Sequence, residues 1–274
     1  MPKHPPHRRK PGLREQLDLV EAERLVDEEQ GIRRDVGPLR GKLAVVTGAS
    51  RGIGLAIATA LAAEECDLAL MARDVTGLKH GAAVLAKSAS VRVVVKSCDV
   101  RDPRQVAAFF QAVRKRFPRI DILVNNAGIA HPMAPVEDLP IDTWDDVLAT
   151  NLTGMFLCTR AALPLMAAGG VIVNNLSVAS TGVFPGEAAY IASKWGARGL
   201  TDALREELRP RGIRVLALIP GATDTKIWDQ FWPDAPHDQM MRPEHVAQAV
   251  LAAVTLPPGT AVDEIRIGPT RGSL

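Results

Sequence analysis

An α/β fold, a doubly wound and mostly parallel seven-stranded sheet with helices on both faces, follows from three features of the chain. Seven short apolar runs alternate with helix-length segments, the pattern of a parallel sheet. The first run empties into a glycine-rich turn that opens a helix. The length, 274 residues with 47% hydrophobic and 23% charged, is enough to bury a large core in one α/β domain.

Residues 1–40 differ in composition from the rest. A Pro/His/Arg-rich start, MPKHPPHRRK, leads into Leu13 to Gln30, rich in acids with apolar positions at Leu13, Leu17 and Val20. An amphipathic helical arm and a disordered tail both fit, and no chemistry is assigned to this extension. Residues 41–274 form the predicted single domain. Its strands are read at Leu43 to Thr47, Leu68 to Met71, Val91 to Val95, Ile120 to Val124, Val171 to Val173, Ile213 to Ile219 and Val262 to Ile267. Between them, helices are read near Ile53 to Ala63, Val75 to Lys87, Pro103 to Phe117, Thr143 to Met166, Glu187 to Leu208 and Pro243 to Val254. Right-handed crossovers then place helices on both faces.

Composition narrows the partners. A net charge of +2 leaves no footprint for nucleic acid, so a small molecule is expected. Cys66, Cys98 and Cys158 lack disulfide or metal spacing and read as buried reduced thiols, with no metal site. No apolar run approaches the ~18 residues of a membrane span, which points to a cytoplasmic protein.

The chemistry begins at Thr47-Gly48-Ala49-Ser50-Arg51-Gly52-Ile53-Gly54. Gly48 permits the turn, Gly52 lets the backbone approach a pyrophosphate, Gly54 lets the helix pack on the sheet, and the helix amides face the anion. The second strand ends in Met71-Ala72-Arg73 where an NAD site usually has an acid. Arg73 and Arg51 could clasp a 2′-phosphate, so NADP(H) is preferred and NAD(H) remains possible. Asp99, before Val100, could hold the adenine amino group or cap the helix at Pro103. Asn125-Asn126-Ala127-Gly128 ends the fourth strand in small residues that let a ribose lie close. Asn151 is a poor helix former inside a helical segment, suited to binding water or distorting the helix.

Ser177 follows the fifth apolar run, and Tyr190 and Lys194 follow it in SVASTGVFPGEAAYIASK. Four residues apart on a helix, Tyr190 and Lys194 share a face. The ammonium should lower the phenol from its usual pKa of ~10 by roughly one to three units, bringing it into range for acid/base work.

TGASRGIG, NNAG, Asn151, Ser177, the YxxxK pair and Pro220-Gly221, in this order, resemble the short-chain dehydrogenase/reductase family in its compact single-domain branch, over about residues 41–268. The resemblance implies a Rossmann-type fold and an NAD(P)-dependent oxidoreductase acting on CH–OH donors. It implies Tyr190 as general acid/base, Lys194 as its pKa modulator and a ribose ligand, Ser177 as the carbonyl-orienting residue, and Asn151 as the holder of a water linking Lys194 to solvent. In Ala222-Thr223-Asp224-Thr225, Thr225 best matches the family's nicotinamide contact, beside Thr223. Residues 225–243 match the mobile substrate loop, carrying Trp228, Phe231 and Trp232, which suit an apolar substrate or the packing of the loop itself. A homodimer or homotetramer is implied through the two long central helices. Asn175 and Leu176 depart from the apolar and serine residues usual before the serine, and the last strand lacks the glycine-rich ending of acyl-carrier reductases. A carbonyl reductase or alcohol dehydrogenase is therefore the leading reading. A 3-oxoacyl thioester reductase and a non-catalytic NADP-binding sensor are the alternatives.

Overall fold

The computed structural model describes residues 37–89, 91–257 and 259–272. The N-terminal extension, apart from its last four residues, lies outside the described residues. Seven strands run parallel in the order β3-β2-β1-β4-β5-β6-β7. They are β1 Leu43–Thr47, β2 Asp67–Ala72, β3 Val93–Ser97, β4 Ile120–Asn125, β5 Met166–Asn175, β6 Arg214–Pro220 and β7 Glu264–Ile267. The α-helices among the described residues are α1 Gly52–Ala63, α2 Val75–Ser88, α3 Pro103–Arg114, α4 Ile141–Leu148, α5 Gly154–Ala162, α6 Ala188–Leu208 and α7 Pro243–Val254.

Side chains alternate across a strand, so each central strand feeds two cores. Ala44 and Val46 of β1 pack with Ile57 and Leu61 of α1, Leu78 of α2 and Val246 and Val250 of α7. Leu43 and Val45 face the other layer, with Phe109 of α3, Cys158 of α5 and Leu204 and Leu208 of α6. A fully buried side chain such as Phe109 contributes about 1.5–3 kcal/mol, which makes the two layers the main source of stability. The strand order reverses between β1 and β4, and an open α/β sheet forms its ligand crevice at the carboxyl ends beside such a point.

The predicted helix from Thr143 to Met166 is corrected. It breaks into α4, a π-helical turn at Ala149–Thr153, α5, and a 3-10 turn at Leu163–Leu165, and Met166 already begins β5. Pro164 has no amide to donate within a continuing helix, so the segment tightens and ends there. The fifth strand is accordingly ten residues long rather than the three of the apolar run, because Met166 pairs with Ile120 across a register shift. Asp99 does not cap α3. That cap is Asp102, which accepts from the amides of Arg104 and Gln105 at 2.8 and 3.3 Å.

Among the described residues, no helix is long and apolar enough to cross a membrane. The three cysteines are free and buried. Burial pushes the thiols of Cys66 and Cys98 up to about 12 and about 11, and that of Cys158 higher still, so none is a nucleophile near neutrality.

Candidate active site

At the carboxyl ends of β1, β4 and β5, short polar side chains tie three strands together. The Thr47 hydroxyl accepts from the amides of Asn126 and Ala127 at 2.9 and 2.8 Å. The Asn126 amide donates back to the carbonyls of Thr47 and Gly48, and its oxygen accepts from Asn175 at 2.8 Å. One residue earlier on each strand, Asn125 and Asn174 point to the opposite side. There Asn125 donates to Thr159 and Asn174, and Asn174 donates to Thr201 of α6. These buried bonds fix the strand ends relative to α5 and α6.

Above this floor lies a cleft of about 890 Å³. Its first wall is the glycine turn. Gly48 and Gly52 have φ of +64° and +58°, a region that other residues enter only with strain, and a Cβ on Gly48 would lie 2.9 Å from the Ala127 Cα. Ser50, Arg51 and Ile53 line the cleft beside them. Gly54 sits beneath, where a methyl group would collide with Asn126 Nδ2 and come within 2.5 Å of the Gly48 carbonyl. The helices α2 and α3 are capped by Asp74 and Asp102, whereas α1 begins at Arg51 with no side-chain cap and no acid in its first turn. Its first amides are left for an anion from the cleft.

Arg73 lines the same wall, exposed at the end of β2, and Asp74 after it is occupied by the Gly77 amide at 3.1 Å. Asp99 and Val100 line the cleft as well. Asp99 is engaged by the Arg101 guanidinium at 2.7 Å, which holds its carboxyl below the usual range, while the same arginine reaches Asp146. Ala127, Gly128, Pro220, Gly221, Thr223 and Thr225 complete the predicted lining. Thr223 donates its hydroxyl to the Gly221 carbonyl, and the Thr225 methyl packs toward Gly52.

Ser177, Tyr190 and Lys194 converge at the centre. Ser177 ends the connection from β5, and its Oγ accepts from the Ala179 amide at 3.1 Å. Its O–H is thereby left to donate, and Ser177 stands near enough to Tyr190 to draw the phenol's pKa down. The Lys194 Nζ lies 5.5 Å from the Tyr190 ring centroid and donates to the Asn175 carbonyl at 3.0 Å. The expected lowering of the phenol is corrected. Burial pushes Tyr190 up to about 12, with Ser177 drawing it down and the Glu187 charge pushing it further up. Burial also lowers Lys194 to about 8. The ammonium is aimed at a carbonyl rather than at the phenol oxygen, so loss of water outweighs its charge.

Asn151 is not brought to the cleft surface. It is 1% exposed, within the π-turn, and its amide makes a two-way bond with the Ile129 backbone at 2.8 and 2.9 Å and donates to Ser193. It stands behind Gly128, where a Cβ would lie 3.3 Å from the Asn151 oxygen and 3.8 Å from the Lys194 Nζ.

The loop after β6 forms a further wall. Trp228 stacks on Phe231 at 4.7 Å between centroids and meets Trp232 at 6.2 Å, and its indole N–H donates to the Thr223 carbonyl. All three rings also line the cleft. Sequence reasoning missed Asn175, Arg266 and Gly268 as lining residues. Asn175 was legible as one of two Asn-Asn pairs ending adjacent strands, whereas Arg266 and Gly268 carry no motif.

The short chain dehydrogenase family model matches residues 42–236. The chain belongs to the short-chain dehydrogenase family. A D-threitol dehydrogenase of Mycolicibacterium smegmatis is 40% identical over 206 residues, 74% of this chain and 78% of that protein. A 3beta-hydroxysteroid dehydrogenase of Mediterraneibacter gnavus is 37% identical over 198 residues, 71% of each. Among solved structures, an alcohol dehydrogenase from the archaeon Thermococcus sibiricus, complexed with 5-hydroxy-NADP, superposes with a TM-score of 0.80 at 32% identity, covering 85% of this chain and 98% of that one. As a short-chain dehydrogenase the protein is an NAD(P)-dependent oxidoreductase. The uncapped α1 terminus, the two positive-φ glycines and the buried Asn175 oxygen, which has no partner, fit such a dinucleotide.

Proposed function

We propose that the protein is an NADP(H)-preferring carbonyl reductase or alcohol dehydrogenase that interconverts a ketone or aldehyde and an alcohol. The observation that carries this reading is the convergence of Ser177, Tyr190 and the buried Lys194 on one cleft. A bound nicotinamide dinucleotide supplies or accepts the hydride. The protein's own residues do the rest. Ser177 and Tyr190 donate to the carbonyl oxygen, polarising it and holding its carbon in place. Burial keeps Tyr190 protonated at neutral pH, so it holds the proton that reduction delivers to the carbonyl oxygen, whose alkoxide is a stronger base than the phenolate. Lys194, on the same helix face, passes the replacement proton toward the phenol, and Asn151 fixes the Ile129 backbone behind Gly128.

The phosphate wall supports NADP(H). Ala72 supplies no acid to a ribose 2′-hydroxyl, Asp74 is spent as a helix cap, and Arg51 and Arg73 stand exposed beside the cleft. The relatives acting on a polyol and a steroid support a small alcohol or ketone as substrate. Exposed Phe156 of α5 and Trp195 of α6 support a homodimer or homotetramer built on these helices. The test is oxidation of NADPH and NADH against aliphatic, aromatic, steroidal, sugar and acyl-thioester carbonyls. NADPH should be the better donor with free ketones or aldehydes. Arg73→Asp should move the ratio of efficiencies toward NADH by about 10-fold or more. An unchanged ratio would remove Arg73 from the 2′-phosphate site.

A further inference from the structure

Four residues before the active-site helix decide where one carboxylate stands. In Phe184-Pro185-Gly186-Glu187, proline fixes the second position and Gly186 takes a φ of +84°, so the Glu187 amide bonds the Phe184 carbonyl at 3.3 Å. This is the geometry of a type II turn. The Gly186 carbonyl is held from the other side by the Ala134 amide at 3.0 Å. The turn therefore places Glu187 on the cleft wall, one helical turn ahead of Tyr190.

The Glu187 carboxylate has no hydrogen-bond or ion-pair partner among the described residues. Burial raises its pKa, and its charge is felt at Tyr190. A partly desolvated carboxylate without a partner is costly unless a ligand supplies the missing charge. Phe184, Trp228, Phe231 and Trp232 line the same cleft, and the faces of aromatic rings attract cations.

We propose that Glu187 and the rings of the 225–243 loop form a subsite for a cationic ammonium group, so that the favoured substrates are amino ketones or the corresponding amino alcohols. This rests on the carbonyl/alcohol reading of the site. The spacing from Glu187 to Tyr190 sets the ammonium a few bonds from the reacting carbon, because residues three apart on a helix are neighbours. Of the lysines of the cleft, Lys194 is committed to the Asn175 carbonyl and Lys226 stands exposed on the loop, while Arg51, Arg73 and Arg266 line the cleft as well.

The experiment compares phenacyltrimethylammonium with its neutral isostere, phenyl neopentyl ketone, as substrates with NADPH. Wild-type enzyme should prefer the cation in kcat/KM by about 10-fold or more, and Glu187→Gln should bring that ratio toward one. Lys226→Gln should keep or increase the preference. In parallel, benzyltrimethylammonium should quench cleft tryptophan fluorescence in the wild type and bind at least about 10-fold more weakly to Glu187→Gln. A wild-type ratio near one, a ratio unchanged in Glu187→Gln, or a preference lost in Lys226→Gln, where a competing cation has been removed, would overturn the subsite. Glu187-dependent binding without turnover of either ketone would leave the subsite standing and count against the reductase reading instead.

Discussion

The floor of the cleft and the loop after β6 hold their positions by different means. On the floor, Thr47, Asn126 and Asn175 are joined through buried hydrogen bonds, and Gly48 and Gly54 leave no room for a side chain. In the loop, Trp228, Phe231 and Trp232 lean on one another, the Gln230 oxygen accepts from the Ala130 amide at 3.0 Å, and His237 bonds Asp224 at 2.8 Å. A wall of interlocked backbone tolerates almost no change, whereas a wall of ring contacts can repack. That contrast suits a site that keeps one cofactor geometry while its substrate pocket varies.

The largest effect on stability should come from filling the floor. Gly54→Ala should lower the unfolding free energy by about 1–3 kcal/mol and weaken dinucleotide binding, read by urea denaturation and calorimetry. Gly199→Ala, in α6 with nothing within 4 Å of the added methyl, should instead be neutral or stabilise by up to about 1 kcal/mol. Equal costs at the two positions would erase the distinction.

Lys194 gives a pH-dependent effect. Its folded pKa of about 8 lies below the ordinary lysine value of 10.5, so at neutral pH the folded state carries a buried ammonium at a cost of about 3 kcal/mol. Between pH 8 and 10.5 the unfolded chain binds the extra proton, so this cost fades and the lysine's contribution to stability rises with pH. Tyr190 acts oppositely above pH 10, because the folded state then holds a proton that the unfolded chain has lost. Lys194→Met should therefore be more stable than wild type at pH 7 by about 2–3 kcal/mol, allowing for the lost bond to Asn175, with the gap closing toward pH 10.5. A gap independent of pH would show that desolvation of the ammonium is not its source.

The smallest effect is expected in the loop. Gln230→Ala should change the unfolding free energy by no more than about 1 kcal/mol while raising KM several-fold, since it frees the loop from Ala130 and leaves the floor intact. A cost as large as that of Gly54→Ala would place the loop within the rigid frame.

The same contrast explains what was legible in the sequence. Glycines that must be glycine, a tyrosine and lysine one helical turn apart, and apolar runs at strand length are local signals, and they located the floor and the central residues. The break at Pro164 and the ten-residue β5 depended on pairing with β4 across a register shift, which no local window carries. The phenol's pKa was misjudged because spacing places Lys194 near Tyr190 but does not say that its ammonium faces the Asn175 carbonyl. Arg266 reaches the cleft only because β7 pairs beside β6.

The central claim is that Tyr190 delivers the proton in carbonyl reduction, and it is tested by NADPH oxidation with Tyr190→Phe beside the wild type on a shared ketone substrate, with NADPH affinity measured by calorimetry. The account predicts a loss of turnover of about 10²–10⁴-fold with NADPH affinity nearly unchanged. Turnover by Tyr190→Phe close to that of the wild type would contradict it.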